Sequence, residues 1–259
     1  MALLDVKNLH HEYGPGNVAI DDVTFTVTEN HFTSIVGPSG CGKTTLMKSI
    51  AGLLPFSSGE VTLVGKPVKD VPDDLAMVFQ DYSRSLFPWL KIGANVELPL
   101  RYRGLDAAER RQRTAESLEA VGLDHKAHVY PWELSGGMQQ RVAIARALAY
   151  RPRLMLMDEP FASVDAQTRA DLEDLVSRVH HNLKMTILFV THDIDEAVYL
   201  ADEVLVLSKS PSRVVERIEV GLPPGRDQVL TKQTPEFVEL RTRVAQLIRR
   251  APVQPSPVP

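Results

Sequence analysis

The segment GPSGCGKT, residues 37–44, matches the pattern G-x-x-x-x-G-K-[ST] at every fixed position. It follows residues 32–36, FTSIV, which predict a strand, and it leads into residues 44–51, which predict a helix. In that setting glycine lets backbone N–H groups close around phosphate oxygens, and the positive end of the helix faces the same anion. The segment therefore predicts a phosphate-binding loop in an α/β domain.

The side chains of this loop have distinct expected roles. Lys43 can bridge the β- and γ-phosphates of a nucleotide, and the Thr44 hydroxyl can ligate Mg²⁺. Cys41 is an ordinary loop position, and it is the only cysteine of the chain, so no internal disulfide is possible. The predicted nucleotide-binding residues of this segment are Gly37, Ser39, Gly40, Cys41, Gly42, Lys43, Thr44 and Thr45.

An apolar run at residues 154–157 ends in two carboxylates, Asp158 and Glu159. Such a run is expected of a strand covered on both faces in a parallel sheet. In nucleotide-hydrolysing enzymes with this kind of loop, an acid at the strand end holds Mg²⁺, and Asp158 fits that role. Glu159 is the candidate general base for the attacking water. The alternative is a solvated pair of acids, which the phosphate-binding loop in the same chain makes the weaker interpretation.

Composition narrows the class of protein. Hydrophobic residues make up 44% of the 259, enough for a sizeable core, and a net charge of -4 lacks the basic excess of nucleic-acid binders. No run approaches the roughly 18 to 20 apolar residues that cross a bilayer, and the N-terminus lacks a signal-peptide pattern. A single cysteine fits a reducing compartment. If the protein serves a membrane, we expect it to act from the cytosol through partners.

The pattern of predicted secondary structure changes between residues 85 and 130, where the alternation typical of strands is weak. Asp106–Glu109 resembles a capping box, which predicts a helix that continues to Ala120. By contrast, residues 1–30 are predicted to form short strands, and residues 23–27 alternate apolar side chains with threonines, the period of a half-buried strand.

The predicted fold class is α/β, a P-loop core with an N-terminal antiparallel β subdomain and an inserted helical subdomain. The proline-rich end of the chain is expected to be disordered. The predicted bounds are 1–250 for the nucleotide-binding domain, 1–86 and 151–250 for its core, about 87–150 for the helical subdomain, and 251–259 for the tail.

The segment LSGGMQQ, residues 134–140, supplies a second helix start. Ser135 can cap the helix, and Gly136 and Gly137 permit close backbone approach. Apolar residues at helical spacing predict its buried stripe, namely Met138, Val142, Ala145 and Leu148. A helix start of this kind is a second anion-binding site. One chain with two phosphate sites suggests a head-to-tail dimer in which each nucleotide is shared between subunits.

This segment, with RVAIARAL after it, resembles the signature motif of the ABC ATPase family, which generic P-loop proteins lack. The resemblance covers the chain from about Leu3 to about Asp227. It implies an enzyme that binds ATP with Mg²⁺ and hydrolyses the ATP. A P-loop kinase, the competing enzyme class, has no need of an LSGGMQQ segment.

The resemblance implies roles for four further residues. Tyr13 resembles the aromatic residue that stacks on adenine, with an ordinary strand-end tyrosine as the alternative. Gln80, in VFQD, resembles the glutamine that contacts Mg²⁺ and the attacking water and senses the membrane partner. Asp165, in SVD, resembles the aspartate of the loop that crosses the dimer interface. His192, in FVTHD, resembles the switch histidine at the γ-phosphate.

The same resemblance implies partners. A second ATPase subunit, expected to be a second copy of this chain, closes its Ser135, Gly136 and Gly137 over the γ-phosphate. The region of Gln80 and Phe87–Trp89 is expected to transmit this closure to transmembrane permease subunits. An extracytoplasmic solute-binding protein takes part indirectly, and no nucleic acid is involved. The expected location is the cytoplasmic face of the cell membrane, as a peripheral protein.

Two segments point to a branch of the family. SLFPWLKIGANVELPL, residues 85–100, and the stretch 192–227 resemble ATPases that serve nitrate, sulfonate, taurine and bicarbonate importers. The chain shows one ATPase unit and no membrane domain, unlike fused exporters and the tandem translation and repair proteins. We therefore favour an importer of small oxyanions or sulfonates. The alternatives are an importer of another small solute, such as a thiamine-precursor pyrimidine, and an ATPase that acts on a soluble partner.

Overall fold

The computed structural model describes residues 2–81 and 85–250. Within these bounds the chain forms two compact units. The first unit combines residues 2–72 with residues 184–250, and the second consists of residues 73–183. The chain leaves the first unit and later returns to it, because the second unit is inserted between two of its strands.

The strands, numbered along the chain, are β1 Ala2–Glu12, β2 Val18–Thr28, β3 Phe32–Val36, β4 Ser58–Leu63, β5 Lys66–Pro67, β6 Leu75–Val78, β7 Leu154–Asp158, β8 Thr186–Val190, β9 Glu203–Leu207 and β10 Val214–Glu219.

The α-helices, numbered in the same way, are α1 Lys43–Ile50, α2 Ile92–Glu97, α3 Ala107–Ala120, α4 Gly136–Ala149, α5 Ala166–Leu183, α6 Ile194–Leu200 and α7 Pro235–Arg250. Short 3₁₀ turns cover Leu98–Tyr102, Asp124–Lys126, Pro131–Glu133 and Thr231–Gln233.

The first unit contains an antiparallel sheet in the order β2-β1-β4-β5. The pair β1 and β2 is long, eleven residues in each strand, where the sequence predicted several short strands. Val23, Phe25 and Val27 are buried and the threonines between them are not, as the alternation predicts. Apolar side chains on one face of each strand stabilise such a sheet by removing that face from water.

The first unit also contains the strands that carry the phosphate-binding loop. β3 lies between β8 and β9 and is parallel to both, and β10 pairs antiparallel with β9. Every residue of β3, β8 and β9 is buried, as expected where helices and loops cover both faces of a parallel sheet. Ile35 lies opposite Val190, so β3 and β8 end together at one edge of the sheet.

An arginine closes the end of α6 in this unit. The Arg226 guanidinium donates hydrogen bonds to the carbonyl oxygens of Val198, Tyr199 and Ala201, at 3.3, 2.6 and 2.9 Å. These are last-turn carbonyls that the helix itself leaves without partners. Burial lowers the pKa of Arg226. An arginine side chain in a protein nevertheless remains charged at neutral pH. The helix α7, which the sequence patterns did not predict, follows and buries Phe237 and Val244.

The second unit pairs β6 with β7 in parallel and adds the helices α2 to α5. The start of α3 is capped as predicted, since the Asp106 side chain accepts from the N–H groups of Ala108 and Glu109 at 2.8 and 2.9 Å. The helix α4 packs against α2 and α3 through its apolar face. Val142, Ala145 and Leu148 are buried there, whereas Met138, the fourth member of the predicted stripe, is only half-buried.

The division into a core and a helical subdomain stays a prediction, and the predicted tail lies outside the described residues. Among the residues that the structure describes, no helix has the length and apolar character needed to cross a membrane.

Candidate nucleotide-binding site

The phosphate-binding loop joins β3 to α1 in the first unit. Gly42, the residue before the helix, has φ 97° and makes no side-chain cap. A Cβ atom there would lie 3.0 Å from the carbonyl oxygen of Ala19, so both the backbone angle and the space require glycine. The first N–H groups of α1 therefore face outward without a capping side chain, which is the arrangement that binds phosphate oxygens.

Lys43 places a buried positive charge at this loop. Its side chain is only 6% exposed, and its ammonium donates hydrogen bonds to the carbonyl oxygens of Gly37 and Pro38 at 3.0 and 3.2 Å. These two bonds satisfy part of the ammonium and hold it over the loop. A third N–H remains for a ligand oxygen, since an ammonium has three donors. The cation is thus positioned before any anion arrives.

Tyr13 lies close to the start of α1. Its hydroxyl shares a hydrogen bond of 2.9 Å with the hydroxyl of Thr45, which is buried, while its ring is 58% exposed. The Tyr13 backbone N–H donates to the Asn17 carbonyl at 3.1 Å and fixes the turn that follows β1. Thr44 is exposed beside Lys43. An exposed aromatic ring beside a phosphate-binding loop is suited to stacking on a nucleotide base.

His192 lies at the same edge of the parallel sheet as the phosphate-binding loop. It follows β8, and the Thr191 N–H donates to the Ile35 carbonyl of β3 at 3.2 Å. The next residue, Asp193, caps α6 by accepting from the N–H groups of Asp195 and Glu196. The exposed imidazole of His192 is therefore held between a strand end and a helix start, at the edge where α/β sheets bind their ligands.

In the second unit, Gln80 and Asp158 share a sheet edge in the same way. β6 and β7 run parallel with Val78 opposite Met157, and Asp158 comes one residue after Met157 whereas Gln80 comes two residues after Val78. Asp158 is only 5% exposed, whereas Gln80 is exposed. Their oxygen atoms therefore emerge at one end of two neighbouring strands.

Glu159 has an unusual backbone. Its φ of 44° lies in the left-handed region, which a residue with a side chain enters at a cost of about 1–2 kcal/mol. Its carbonyl accepts a hydrogen bond of 3.2 Å from the Ala162 N–H in the turn that follows. Strain of this kind persists where surrounding structure fixes it, and it is frequent at sites of chemistry.

The signature segment forms the start of α4. The Ser135 backbone is extended, and its hydroxyl accepts a hydrogen bond of 3.4 Å from the Met138 N–H. The Gln139 side chain, to which the sequence assigned no role, donates to the carbonyls of Pro131 and Leu134 at 3.0 and 3.2 Å. Gln139 thus braces the loop that precedes the helix.

Gly137 has no room for a side chain. A Cβ atom at this position would lie 2.2 Å from Cγ2 of Thr168 on α5. Thr168 is in turn fixed by Asp165, whose carboxylate accepts from the Thr168 N–H at 3.0 Å and from its hydroxyl at 2.7 Å. These two bonds, the backbone one first, lower the pKa of Asp165. The signature helix and the loop of Asp165 are therefore coupled through Thr168.

The predicted site residues divide between the units. The first unit carries Tyr13, residues 37–45 and His192, and the second carries Gln80, Ser135–Gly137, Asp158, Glu159 and Asp165.

Sequence patterns missed two residues that contact this set, His11 beside Tyr13 and Thr168 beside Gly137. The spacing of Asp165 and Thr168 is that of a capped helix start, so Thr168 had a readable signal. No sequence pattern marked His11.

A glycine-rich loop between a buried parallel strand and a helix, with a buried lysine held across it, defines a P-loop nucleotide-binding protein. Residues 20–162 match the family model described as ABC transporter. The chain therefore belongs to the ABC transporter family of ATP-binding proteins, and its activity is ATP hydrolysis. This confirms the family, the α/β fold class and the enzyme class that the sequence predicted.

The sequences of related proteins match almost the whole chain. It is 44% identical to an uncharacterized ABC transporter ATP-binding protein of Methanocaldococcus jannaschii, covering 95% of this chain and 91% of that protein. It is 42% identical to the taurine import ATP-binding protein TauB of Rhizobium johnstonii, covering 91% of each. Among solved structures, it is similar to the dimeric ATP-binding cassette MJ0796 bound to ADP and Pi, with 34% identity and a TM-score of 0.72. That match covers 85% of this chain and all of the cassette.

Proposed function

We propose that this protein is the ATPase subunit of an importer for small sulfonates or oxyanions, with taurine, nitrate and alkanesulfonates as the candidate solutes. The observation that carries the proposal is the 42% identity to a taurine import ATP-binding protein over 91% of both chains. Import of another small solute, such as a thiamine-precursor pyrimidine, is the alternative within the same function. The solute is selected by other subunits, so this assignment rests on family similarity.

ATP binds through contacts that the first unit already presents. The N–H groups at the start of α1 and the Lys43 ammonium receive the phosphates, and Tyr13 stacks on the adenine. Lys43 favours the triphosphate over the diphosphate because its charge lies where the β- and γ-phosphates meet. The buried position of this ammonium strengthens the attraction, since little water screens it.

Hydrolysis requires a base, a group that orients water, and a contact to the γ-phosphate. Glu159 accepts the proton of the attacking water, Gln80 orients that water, and His192 donates to the γ-phosphate. The left-handed backbone at Glu159 supports the base assignment, because such backbone strain is frequent at sites of chemistry. The positions of Gln80 and His192 after strand ends support their assigned roles of orienting water and donating to the γ-phosphate.

Mg²⁺ fits the oxygen donors that these residues offer. Thr44 supplies a hydroxyl, Gln80 an amide oxygen and Asp158 a carboxylate, all of which are ligands that this ion prefers. Among the described residues, no group of three or more His, Cys, Asp or Glu side chains is placed to hold a metal. Mg²⁺ keeps waters and nucleotide phosphates as its other ligands. When bound, the ion neutralises phosphate charge.

A second copy of the chain completes each site. Ser135 and Gly137 at the start of α4, together with Asp165, face the γ-phosphate held by the other subunit. ATP thus joins two subunits, and its hydrolysis releases them. The similarity to the solved structure of a dimeric ATP-binding cassette bound to ADP and Pi supports this part of the proposal.

A rigid aromatic turn supports docking to permease subunits. Phe87 and Trp89 are 37% and 68% exposed, and their ring centroids lie 5.4 Å apart. The buried Asn95 side chain accepts from the Phe87 N–H at 2.8 Å and donates to the carbonyls of Phe87 and Leu90 at 3.0 and 2.9 Å. Exposed aromatic rings on a braced turn are suited to a protein interface. Through it the protein sits peripherally at the cytoplasmic face of the membrane, with a solute-binding protein on the other side.

The test of the base is Glu159→Gln, which keeps the size of the side chain and removes its basicity. We expect hydrolysis to fall by about 10²–10⁴-fold, while ATP binding persists and an ATP-bound dimer accumulates on a sizing column. Glu239→Gln, an exposed glutamate on α7, is the control and should hydrolyse ATP at the wild-type rate. Wild-type turnover by Glu159→Gln would show that the base assignment is wrong.

The solute is tested by uptake of labelled taurine, nitrate, alkanesulfonates and a thiamine-precursor pyrimidine in a deletion strain. Each assay is complemented with the wild-type gene or with Glu159→Gln. Loss of one uptake activity that only the wild type restores identifies the solute. Unchanged uptake of all of them would remove the importer proposal and leave the ATPase in place.

A second candidate function is an ATPase that moves a soluble partner. The exposed pair Phe87 and Trp89 distinguishes the two. A permease should protect this turn from hydrogen exchange or labelling in a detergent-solubilised complex, relative to the isolated subunit. Equal exposure in both samples would favour the soluble partner.

A further inference from the structure

His11 is a buried histidine next to the expected base-stacking residue. It lies near the end of β1 and is 6% exposed. Its imidazole is perpendicular to the ring of Tyr13, with a centroid distance of 4.5 Å and an interplanar angle of 86°. This is the edge-to-face arrangement in which two aromatic rings attract each other beyond simple burial.

The imidazole has no competing polar interaction. Neither Nδ1 nor Nε2 of His11 has a hydrogen-bond partner among the described residues. Buried polar atoms are usually satisfied, so an unsatisfied ring calls for a physical reason. The contact with Tyr13 is the one specific interaction that the described part of the structure shows for this ring, and it depends on the aromatic ring and not on the nitrogens.

Tyr13 has few other restraints. Its hydroxyl is tied to Thr45 on α1 and its backbone to Asn17, but more than half of the side chain is exposed. A ring fixed only at its hydroxyl can still rotate about its own long axis. The perpendicular imidazole opposes that rotation, because turning the Tyr13 ring would disrupt the edge-to-face contact.

We propose that His11 is a positioning residue for nucleotide binding, which holds the Tyr13 ring in the orientation that stacks on the base. The inference rests on the proposed function in one respect, that Tyr13 is the base-stacking residue. When only a fraction of molecules present the ring correctly, the apparent affinity falls by that fraction. We therefore expect loss of the imidazole to weaken nucleotide binding by about 3–10-fold.

Three substitutions at His11 separate the effect of its aromatic ring from the effects of side-chain size and polarity. His11→Ala removes the ring, His11→Leu keeps an apolar side chain of similar size, and His11→Phe keeps a perpendicular aromatic ring without nitrogens. ADP and inorganic tripolyphosphate serve as probes, because only ADP carries a base. We expect His11→Ala and His11→Leu to bind ADP about 3–10-fold more weakly. His11→Phe should stay within about twofold of wild type, and tripolyphosphate should bind all of the proteins equally well.

Stability is measured alongside, by thermal melting. Leu9→Ala, at a fully buried position of the same strand, is the control, and it should lower the melting temperature without changing ADP affinity. Wild-type ADP affinity in His11→Leu would overturn the proposal. So would an equal loss of ADP and tripolyphosphate affinity, because that pattern indicates a damaged loop.

A double-mutant cycle shows whether His11 acts through Tyr13. Tyr13→Ala should weaken ADP binding, and adding His11→Ala to it should cause no further loss. A full additional loss in the double mutant would overturn the positioning role. If Tyr13→Ala binds ADP like the wild type, the base-stacking assignment under the proposed function fails. If it binds weakly while His11→Ala binds normally, only the positioning role fails.

Discussion

Two helix starts in this protein are candidate anion-binding sites, and they differ in the groups that occupy their first N–H donors. The start of α1 follows Gly42, whose left-handed backbone carries no capping side chain. The start of α4 follows Ser135, whose hydroxyl accepts from the Met138 N–H at 3.4 Å. The first start leaves its N–H groups to a ligand, whereas the second is partly satisfied by its own serine.

The two helix starts also differ in the charge of their side chains. Lys43, the first residue of α1, brings a buried ammonium to its helix start, while the first turn of α4 is GGM and brings no charge. We therefore expect a phosphate to bind to the first start through a full positive charge and to the second only through N–H groups and a hydroxyl. We infer from this difference that α1 can bind a nucleotide alone, whereas α4 would contribute only to a nucleotide held by another subunit, as proposed above.

The largest expected effect is at the charged start. Lys43→Ala removes the ammonium and its bonds to Gly37 and Pro38, so we expect ATP affinity to fall by about 100-fold or more. Equilibrium titration with ATP measures the change. Lys48→Ala, an exposed lysine of the same helix, is the matched control and should bind ATP normally. Unchanged ATP affinity in Lys43→Ala would show that the charge does not distinguish the two helix starts.

The next effect tests the uncharged start. Gly137→Ala adds a Cβ atom that would lie 2.2 Å from Cγ2 of Thr168, so the Thr168 side chain or one of the two helices has to move. We expect hydrolysis to fall by about tenfold because catalytic geometry tolerates only small displacements. The affinity of the isolated subunit for ATP should not change.

A second substitution sharpens this test. Thr168→Ser removes Cγ2 and keeps the hydroxyl that donates to Asp165 at 2.7 Å. Added to Gly137→Ala, it should restore most of the lost hydrolysis, as measured by phosphate release. A double mutant no faster than Gly137→Ala would show that the steric contact is not the cause.

Removal of the cap itself should have a smaller effect. Ser135→Ala deletes a hydrogen bond that is long at 3.4 Å, so we expect the free energy of unfolding to fall by about 0.5–1 kcal/mol. Urea unfolding measures this loss. If α4 also serves a nucleotide, ATP-driven dimerisation should weaken as well, while ATP binding to the monomer persists. Dimerisation equal to wild type would make Ser135 a structural cap alone.

The smallest effect concerns a third helix start, α5, which a carboxylate caps. The Thr168 N–H and hydroxyl lower the pKa of Asp165, so the folded state favours the charged form. The resulting stability is complete above the unfolded pKa of about 3.9, and it is lost as pH falls through the lower folded value. Between about pH 5 and 3, wild type should therefore lose stability more steeply than Asp165→Asn, as measured by urea unfolding. Parallel pH curves would contradict this.

Much of the fold could be predicted because its signals are local. The loop GPSGCGKT needs only its own glycines, and the strands β3, β7 and β8 are recognisable as short apolar runs. The capped start of α3 at Asp106 is likewise a matter of neighbouring residues. Residues 1–30 were harder to predict, since the chain forms two long strands there where shorter ones were expected.

Other features were missed for different reasons. The helix α7 was not predicted although Phe237, Leu240, Val244 and Leu247 recur at helical spacing, so a local signal was present and was overlooked. Met138 fits the helical stripe of α4 by spacing but is only half-buried, because exposure at a helix start depends on which neighbours cover it.

The sequence by itself determined the family, the α/β class, the activity and the candidate site residues, because each depends on residue types at short fixed spacings. Only the tertiary structure decided that Gly137 meets Thr168, and that His11 is buried perpendicular to Tyr13. The physical reason is that both contacts depend on how backbone segments pack. Packing selects side-chain neighbours by shape in three dimensions, and the spacing of residues along the chain does not record it.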